Sequence, residues 1–249
     1  MQNNPFSLEG KKILITGASS GIGYATAIEC SRMGATLFMT GRNEERLLDC
    51  LHTVGTNEHE IIIADLTKKE DLENLVGSSP VLDGIVVCAG KGTTLPIKSA
   101  SSQKYQEIFD INFFAPAELV RLLVKGKKLK NGSSVVMIAS IGGVFQFEPA
   151  NAIYGTSKAA LNAFMRFAAI EFAAKGIRVN TICPGMVETP LMQNGRFSEE
   201  QLNFYKDSYP LKRFGKPEEI GQAAVYLLSD AASWITGTSL VIDGGATIR

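Results

Sequence analysis

Short apolar runs rich in β-formers alternate with longer segments of helical period along the whole of this 249-residue chain. The runs fall at 12–16, 36–40, 60–64, 84–88, 135–139, 178–183 and 239–242, and the longest helical segments at 101–123 and 152–174. Such alternation is the pattern of a parallel sheet covered by helices on both faces. No internal repeat, low-complexity tract or linker divides it, so the expectation is one α/β domain over residues 1–249: a doubly wound, seven-stranded parallel sheet.

The rest of the composition excludes more than it identifies. Lys and Arg number 25 and Asp and Glu 25, so no global field favours nucleic acid or an anionic membrane. No apolar run approaches the ~18 residues that span a bilayer, and the first ten residues lack a signal-peptide core. Cys30, Cys50, Cys88 and Cys183 are widely spaced, and three lie within apolar runs, which suits buried thiols in a reducing cytoplasm. The two histidines, His52 and His59, sit in one polar segment, and no metal site is expected.

Two motifs carry chemistry. Thr16-Gly17-Ala18-Ser19-Ser20-Gly21-Ile22-Gly23 follows the first strand and opens the helical run 24–33. Glycines at a strand-to-helix turn let the backbone approach a diphosphate, whose charge the helix N-terminus stabilises. A tight connection is the other reading of such a turn, but its place after the first strand of a βαβ pattern favours a nucleotide. The second motif is Tyr154-Gly155-Thr156-Ser157-Lys158. Helical positions i and i+4 are roughly 5–6 Å apart on one face. A neighbouring ammonium lowers a tyrosine pKa from its free value of about 10, making the phenol a usable general acid or base. Taken alone, the pair could equally be a half-exposed tyrosine and a solvated lysine.

Together the motifs resemble the short-chain dehydrogenase/reductase superfamily in its single-domain branch, over residues 11–245. Asn112, Ser140 after the fifth strand, Pro184-Gly185 after the sixth, and 213–219 leading to Ile242-Asp243-Gly244-Gly245 extend the match. The resemblance implies a Rossmann-like fold and a catalytic set of Asn112, Ser140, Tyr154 and Lys158. Tyr154 would exchange the proton, Lys158 would tune it and hold the nicotinamide ribose, Ser140 would polarise a carbonyl, and Asn112 would hold a proton-supplying water. Ser140 also reads as a serine closing a strand, and it stands one position further from Tyr154 than in many relatives.

The resemblance further implies a dinucleotide held by Gly17, Ser19, Ser20, Gly21, Ile22 and Gly23, by Ala89-Gly90, by Tyr154 and Lys158, and by Pro184, Gly185, Val187 and Thr189. The second strand ends in Thr40-Gly41-Arg42, with no acid there to favour NAD and an arginine suited to a 2′-phosphate. NADP(H) is therefore expected over NAD(H), although Arg42 also reads as a solvated residue before a helix. Asp65-Leu66 would reach the adenine, unless Asp65 caps the next helix. Cys88 replaces the asparagine usual before Ala89-Gly90 and reads as a small core residue.

The overall pattern resembles 3-oxoacyl-(acyl-carrier-protein) reductases; a sugar, steroid or small keto compound is the alternative substrate. Lys125, Lys127, Lys128, Lys130 and Lys175 could dock an acidic carrier protein or be merely solvated. Residues near 186–212 break the alternation and read as a substrate lid or as an amphipathic helix pair. A dinucleotide sensor without catalysis would have lost Tyr154, Lys158 or Ser140, and extended-branch epimerases or dehydratases are usually longer. The helix at 152–174 is apolar nearly all round, which implies a homotetramer or homodimer through this helix and 101–123. Trp234 is expected to pack near the chain end.

Overall fold

The computed structural model describes residues 4–55, 58–190, 192 and 198–248. Among them, seven strands form one sheet: β1 (Lys12–Thr16), β2 (Thr36–Gly41), β3 (Glu60–Ile63), β4 (Leu82–Val87), β5 (Leu129–Ile138), β6 (Arg178–Pro184) and β7 (Ser239–Ile242). The order is β3-β2-β1-β4-β5-β6-β7, and every pairing is parallel. Central β1 shows why the strands read as unbroken apolar runs. Ile13 and Ile15 pack on one face and Leu14 on the other, so both faces are buried and hydrophobic-polar alternation disappears.

The helices form a layer on each face. Helices α1 (Gly21–Arg32), α2 (Glu44–Val54) and α8 (Pro217–Leu228) cover one through Ala27, Cys30, Leu47, Cys50, Ile220 and Ala224. Helices α3 (Lys69–Ser78), α5 (Ala115–Lys125) and α6 (Ala152–Phe172) cover the other through Leu72, Leu75, Leu119, Leu161 and Met165. Strand order reverses between β1 and β4. Chains leave in opposite directions there, which opens a crevice at the strand C-terminal ends, where doubly wound folds bind ligands. A smaller cluster of Ala139, Ile141, Cys183, Tyr209, Phe214 and Ala246 closes that end of the core.

Three expectations change. Strands β4 and β5 start at Leu82 and Leu129, earlier than the apolar runs suggest. Their ladder jumps from Leu82↔Leu129 to Gly84↔Ser134, and the polar residues 130–133 take up the irregularity. The helix expected at 101–123 is α4 (Ser102–Phe109), a π-turn (Asp110–Phe114) and α5 in series. Trp234 is 98% exposed; its neighbour Ile235 takes the place against the core.

At the opposite end of the sheet His59 ties β2 to its surroundings. Its Nδ1 accepts the Leu37 N–H at 3.1 Å, which leaves the proton on Nε2, 3.2 Å from Ser31 Oγ. Burial lowers its pKa, opposed by a bond to the Val54 backbone and by the Glu58 charge. Because the folded pKa lies below the free value of about 6.5, the stabilisation is complete above that pH and fades as pH falls through the folded value. Thermal melts of the wild type and His59→Gln should therefore differ most above pH 7 and converge toward pH 5.

Candidate active site

The glycine-rich turn is built by contacts that exclude side chains. Gly17 has φ +68°, and a Cβ there would lie 2.9 Å from Ala89 N. A Cβ on Gly23 would run into the Gly17 carbonyl oxygen, so the turn packs directly on the first turn of α1. Ser20, the N-cap of α1, makes no side-chain cap bond, which leaves the first N–H groups of α1 uncapped by it. Gly21 stands beside Thr189, with its would-be Cβ 3.3 Å from Thr189 Cγ2, so the α1 N-terminus and the segment after β6 form opposite lips.

The threonine that opens the motif, given no role by the sequence, holds this turn to β4. Thr16 Oγ1 accepts the N–H groups of both Cys88 and Ala89 at 3.1 Å. The strands are thus braced by a threonine, although the usual asparagine is a cysteine. Cys88 packs on the core and also lines the cavity described below. Burial pushes its thiol up to about 12, against a bond with Thr26 and the Lys158 charge.

Beyond β2 and β3 stand Arg42 and Asp65. Ser19 lies beside the end of β2, its Oγ 3.3 Å from a Cβ built on Gly41, and Arg42 is exposed next to it. Asn43 rather than Arg42 caps α2, accepting the Arg46 N–H at 2.9 Å. Asp65 is not the cap of α3; that position is Lys68. Its carboxylate instead accepts the N–H and hydroxyl of Thr67 at 3.0 and 2.7 Å. Burial would raise its pKa, but these bonds and the charges of Arg42 and Lys68 outweigh it and hold the carboxyl below its ordinary value. The Leu66 side chain is in the core, so only its backbone is available to a ligand.

Asn112 sits in the π-turn, fully buried. The turn places the Ala115 N–H on Asp110 O, and Pro116 has no N–H with which to bond the Asn112 carbonyl in the α-helical manner. The Asn112 side chain is clamped at both ends. Its Oδ1 accepts the Lys91 N–H at 2.8 Å, and its Nδ2 donates to Lys91 O at 2.9 Å and to Ser157 Oγ at 3.0 Å. Ser157 passes the chain on by donating to Tyr154 O at 2.7 Å. Ser157 lay inside the quoted motif, but nothing in a serine between tyrosine and lysine signals that it faces inward.

Lys158 lies one turn beyond Tyr154, only 5% exposed, with Nζ donating to Ile138 O at 2.8 Å. Burial pulls its pKa down to about 8, opposed by the Cys88 and Cys183 sulfurs. Gly90 is its neighbour on the β4 side, where a Cβ would lie 3.3 Å from Nζ. Ser140 follows β5 and accepts the Gly142 N–H at 3.0 Å. The loop to Tyr154 absorbs its extra length by curling: Phe145 N–H bonds Ile141 O at 2.8 Å, and Gly143 N–H bonds Gln146 O at 2.8 Å.

These elements enclose a cavity of about 310 Å³. Ser140, Tyr154 and Lys158 line it, as do Ile22, Gly90, Pro184, Gly185, Val187 and Thr189 among the residues expected to hold a cofactor. Asn112 stands behind its wall. Gly17, Ser19, Ser20, Gly21, Gly23, Arg42, Asp65 and Ala89 do not line it; they follow β1, β2, β3 and β4 in the chain. The far side includes Met186, Met192, Tyr205 and Tyr209. Tyr209, missed in the sequence, accepts the Met186 N–H at 2.9 Å and so pins α7 (Glu199–Ser208) to the segment after β6. Of the expected lid, residues 191 and 193–197 lie outside the described residues.

The basic cluster lies elsewhere. Lys125 to Lys130 precede or begin β5, and Lys175 precedes β6, roughly 30 Å of strand from Ser140. Lys128 donates to Gly77 O and Ser79 O, and Lys130 pairs with Asp83 at 2.9 Å. Among the described residues no group of ligands could hold a metal ion, and no helix is long and apolar enough to cross a membrane.

A family model described as enoyl-(acyl carrier protein) reductase matches residues 17–247. The glucose 1-dehydrogenase of Gluconobacter oxydans is 32% identical over 96% of this chain and 92% of its own length. The 3-oxoacyl-[acyl-carrier-protein] reductase of Rickettsia felis is 34% identical over 96% and 97%. A solved Pseudomonas aeruginosa RhlG/NADP complex superposes with TM-score 0.90 at 28% identity, covering 98% of this chain and 99% of that one. Parallel sheet, glycine turn and Tyr-Lys pair define a nicotinamide-dependent oxidoreductase fold. The chain belongs to the short-chain dehydrogenase/reductase superfamily.

The β5–α6 loop depends on one contact. Gly143 has φ +84°, and a Cβ there would run into the Gly155 carbonyl in the first turn of α6. Gly143→Ala should cost about 2–5 kcal/mol in denaturant unfolding. Gly132→Ala, also at positive φ but with nothing within 4 Å, should cost only about 1–2 kcal/mol.

Proposed function

We propose that this protein is an NADP(H)-dependent oxidoreductase that moves a hydride between nicotinamide and a carbonyl or secondary alcohol. The observation that carries the reading is the shared cavity: the Tyr154 phenol, a buried Lys158 ammonium and the Ser140 hydroxyl line one space beside the glycine-rich turn. The turn fits a dinucleotide because Gly17 and Gly23 leave no room for side chains and the α1 N-terminus is free of a side-chain cap. Arg42, exposed at the end of β2, fits a 2′-phosphate, and NAD(H) is the alternative. Nicotinamide, when bound, supplies or accepts the hydride at the substrate carbon.

The residues supply the rest. In reduction Tyr154 gives its proton to the carbonyl oxygen, and in oxidation it takes the proton from the alcohol. Lys158 stabilises the phenolate that proton transfer leaves and reaches the ribose hydroxyls. Its charge is held without a carboxylate partner among the described residues, so the stabilisation is not spent on an internal ion pair. Ser140 donates to the substrate oxygen, and the clamped Asn112 fixes the π-turn whose carbonyl can hold a water for proton supply. All of these act on charge that develops as the bond is made or broken.

The acyl-thioester and sugar activities named for the two relatives are both within this chemistry. The basic cluster's place at the far end of the sheet counts against carrier-protein docking there. Segment 186–212 acts as the lid, with Tyr209 at its base. The exposed Phe167 and Ile170 on α6, and Phe114 nearby, support a homotetramer or homodimer through these helices. The four free cysteines suit the cytoplasm.

Tyr154→Phe should abolish turnover, followed at the reduced-nicotinamide absorbance, while NADPH still binds in a fluorescence titration; normal turnover would reject the assignment. Arg42→Ala should raise the KM for NADPH about ten- to a hundredfold and leave NADH nearly unchanged. Equal losses with both cofactors would show that Arg42 does not read the phosphate.

A further inference from the structure

A ring that exchanges hydride with a carbon held at Tyr154 and Ser140 must lie in the same cavity as those side chains. It arrives from the glycine turn between Gly21 and Thr189, where a Cβ on Gly21 would lie 3.3 Å from Thr189 Cγ2. The wall it meets there is the chain after β6, since Pro184, Gly185, Met186, Val187 and Thr189 all line the cavity. Where that wall stands fixes the distance over which hydride moves, and a misplacement of about 1 Å can cost about a hundredfold in rate.

Main-chain bonds hold this wall at several points. Gly185 N–H donates to Ile242 O at 3.0 Å, Gly215 N–H to Met186 O at 2.9 Å and Glu188 N–H to Gly215 O at 2.9 Å. The Met186 N–H is held by a side chain instead: it donates to Tyr209 Oη at 2.9 Å. The peptide joining Gly185 to Met186 is a rigid plane, so that bond sets how the link between two lining residues is turned.

Tyr209 is itself built not to move. It is buried, its ring meets Phe214 edge-on at 5.8 Å, and a Cβ on Gly244 would lie 3.3 Å from its Cδ1. A Cβ on Gly185 would lie 3.1 Å from both the Tyr209 oxygen and Asp243 Cα, so Gly185 fits between them without a side chain. The main chain of Tyr209 is fixed on both sides. Its N–H donates to Lys206 O at 3.1 Å, and its carbonyl accepts the Lys212 N–H at 2.9 Å, a turn that Pro210 pre-shapes.

We propose that Tyr209 is a positioning residue for the nicotinamide ring: through the Met186 N–H its hydroxyl sets the wall against which the ring lies. The inference rests on the hydride-transfer reading above and adds to it a residue that follows α7, remote in sequence from the Tyr-Lys pair. Tyr209 neither gives nor takes a proton in the reaction. Tyr209→Phe keeps the ring against Phe214 and deletes the acceptor, which leaves a part-buried N–H unpaired and the peptide plane free to turn.

The test uses ligands that differ by the nicotinamide alone: NADPH against 2′-phospho-ADP-ribose, and NADH against ADP-ribose, titrated calorimetrically into the purified protein. Tyr209→Phe should weaken the tighter-binding dinucleotide about tenfold and its counterpart without nicotinamide less than about twofold. Phe214→Leu thins the packing on the same ring but keeps the hydroxyl, so it should lower the melting temperature without this selectivity. Exchange of the Met186 amide, followed in protein labelled with nitrogen-15 methionine, should be slow in the wild type and about tenfold faster in Tyr209→Phe. Unchanged or equally weakened binding of both ligands in Tyr209→Phe would overturn the inference, as would a selective loss of the dinucleotide in Phe214→Leu. So would a Met186 amide that exchanges freely in the wild type, a result that needs no variant to fold. No binding of either dinucleotide by the wild type would overturn the dinucleotide reading and this inference with it.

Discussion

A lysine ammonium buried beneath the ends of three strands is the constraint on which the site depends. Lys158 bonds to the Ile138 carbonyl rather than to a carboxylate, and burial, opposed by the Cys88 and Cys183 sulfurs, takes its pKa down to about 8. A charge in that position costs stability, because its desolvation is repaid only by a carbonyl dipole. The surrounding structure supplies what tolerance there is. Helix α6 presents the lysine at its first turns, β5 supplies the carbonyl, and Gly90 keeps the β4 side open to the ammonium. Lys158 remains available to a phenolate and to ligand hydroxyls because no acid has claimed it.

Close backbone approaches make this arrangement possible. The α6 N-terminus lies against the β5–α6 loop at Gly155 and Gly143, where no side chain fits. The α1 N-terminus lies against its own turn at Gly23 and Gly17. These contacts bring two helix starts to the same end of the sheet, one carrying a Tyr-Lys pair and the other an uncapped set of N–H groups. The π-turn adds a third component. It displaces one turn of the α4–α5 helix so that Asn112 reaches the Lys91 backbone on one side and Ser157 on α6 on the other. Tyr209 plays the corresponding part for the segment after β6 by accepting the Met186 N–H.

Much of this was readable from residue order, and the unread parts have a common origin. Strand positions were accurate where the chain is buried on both faces, as at Ile13–Leu14–Ile15 in β1, because burial there requires unbroken apolarity. They were short where burial is partial, as at the start of β5, where Lys130 and Asn131 are exposed and lie in the irregularity of the ladder. Asp65 has the composition of a helix cap but makes a local turn with Thr67 instead, a choice between neighbouring N–H groups that the residue type leaves open. The lysines near 125–130 are neighbours in the chain, and only the fold puts them at the end of the sheet opposite Ser140.

By itself the order of residues determined the alternation of strand and helix, the glycines at the first crossover and the i, i+4 spacing of Tyr154 and Lys158, because each is a local, periodic or steric property of neighbours in the chain. Only the folded structure decided which side chains share the cavity. Strand order brings β4, β5 and β6 together at their C-terminal ends, and the curl of one loop sets Gln146 at the cavity while exposing Phe145 and Phe147. Those are contacts between residues distant in sequence, or choices of side-chain direction made by backbone bonds such as Gly143 to Gln146. Neither leaves a period or a composition that could be read beforehand.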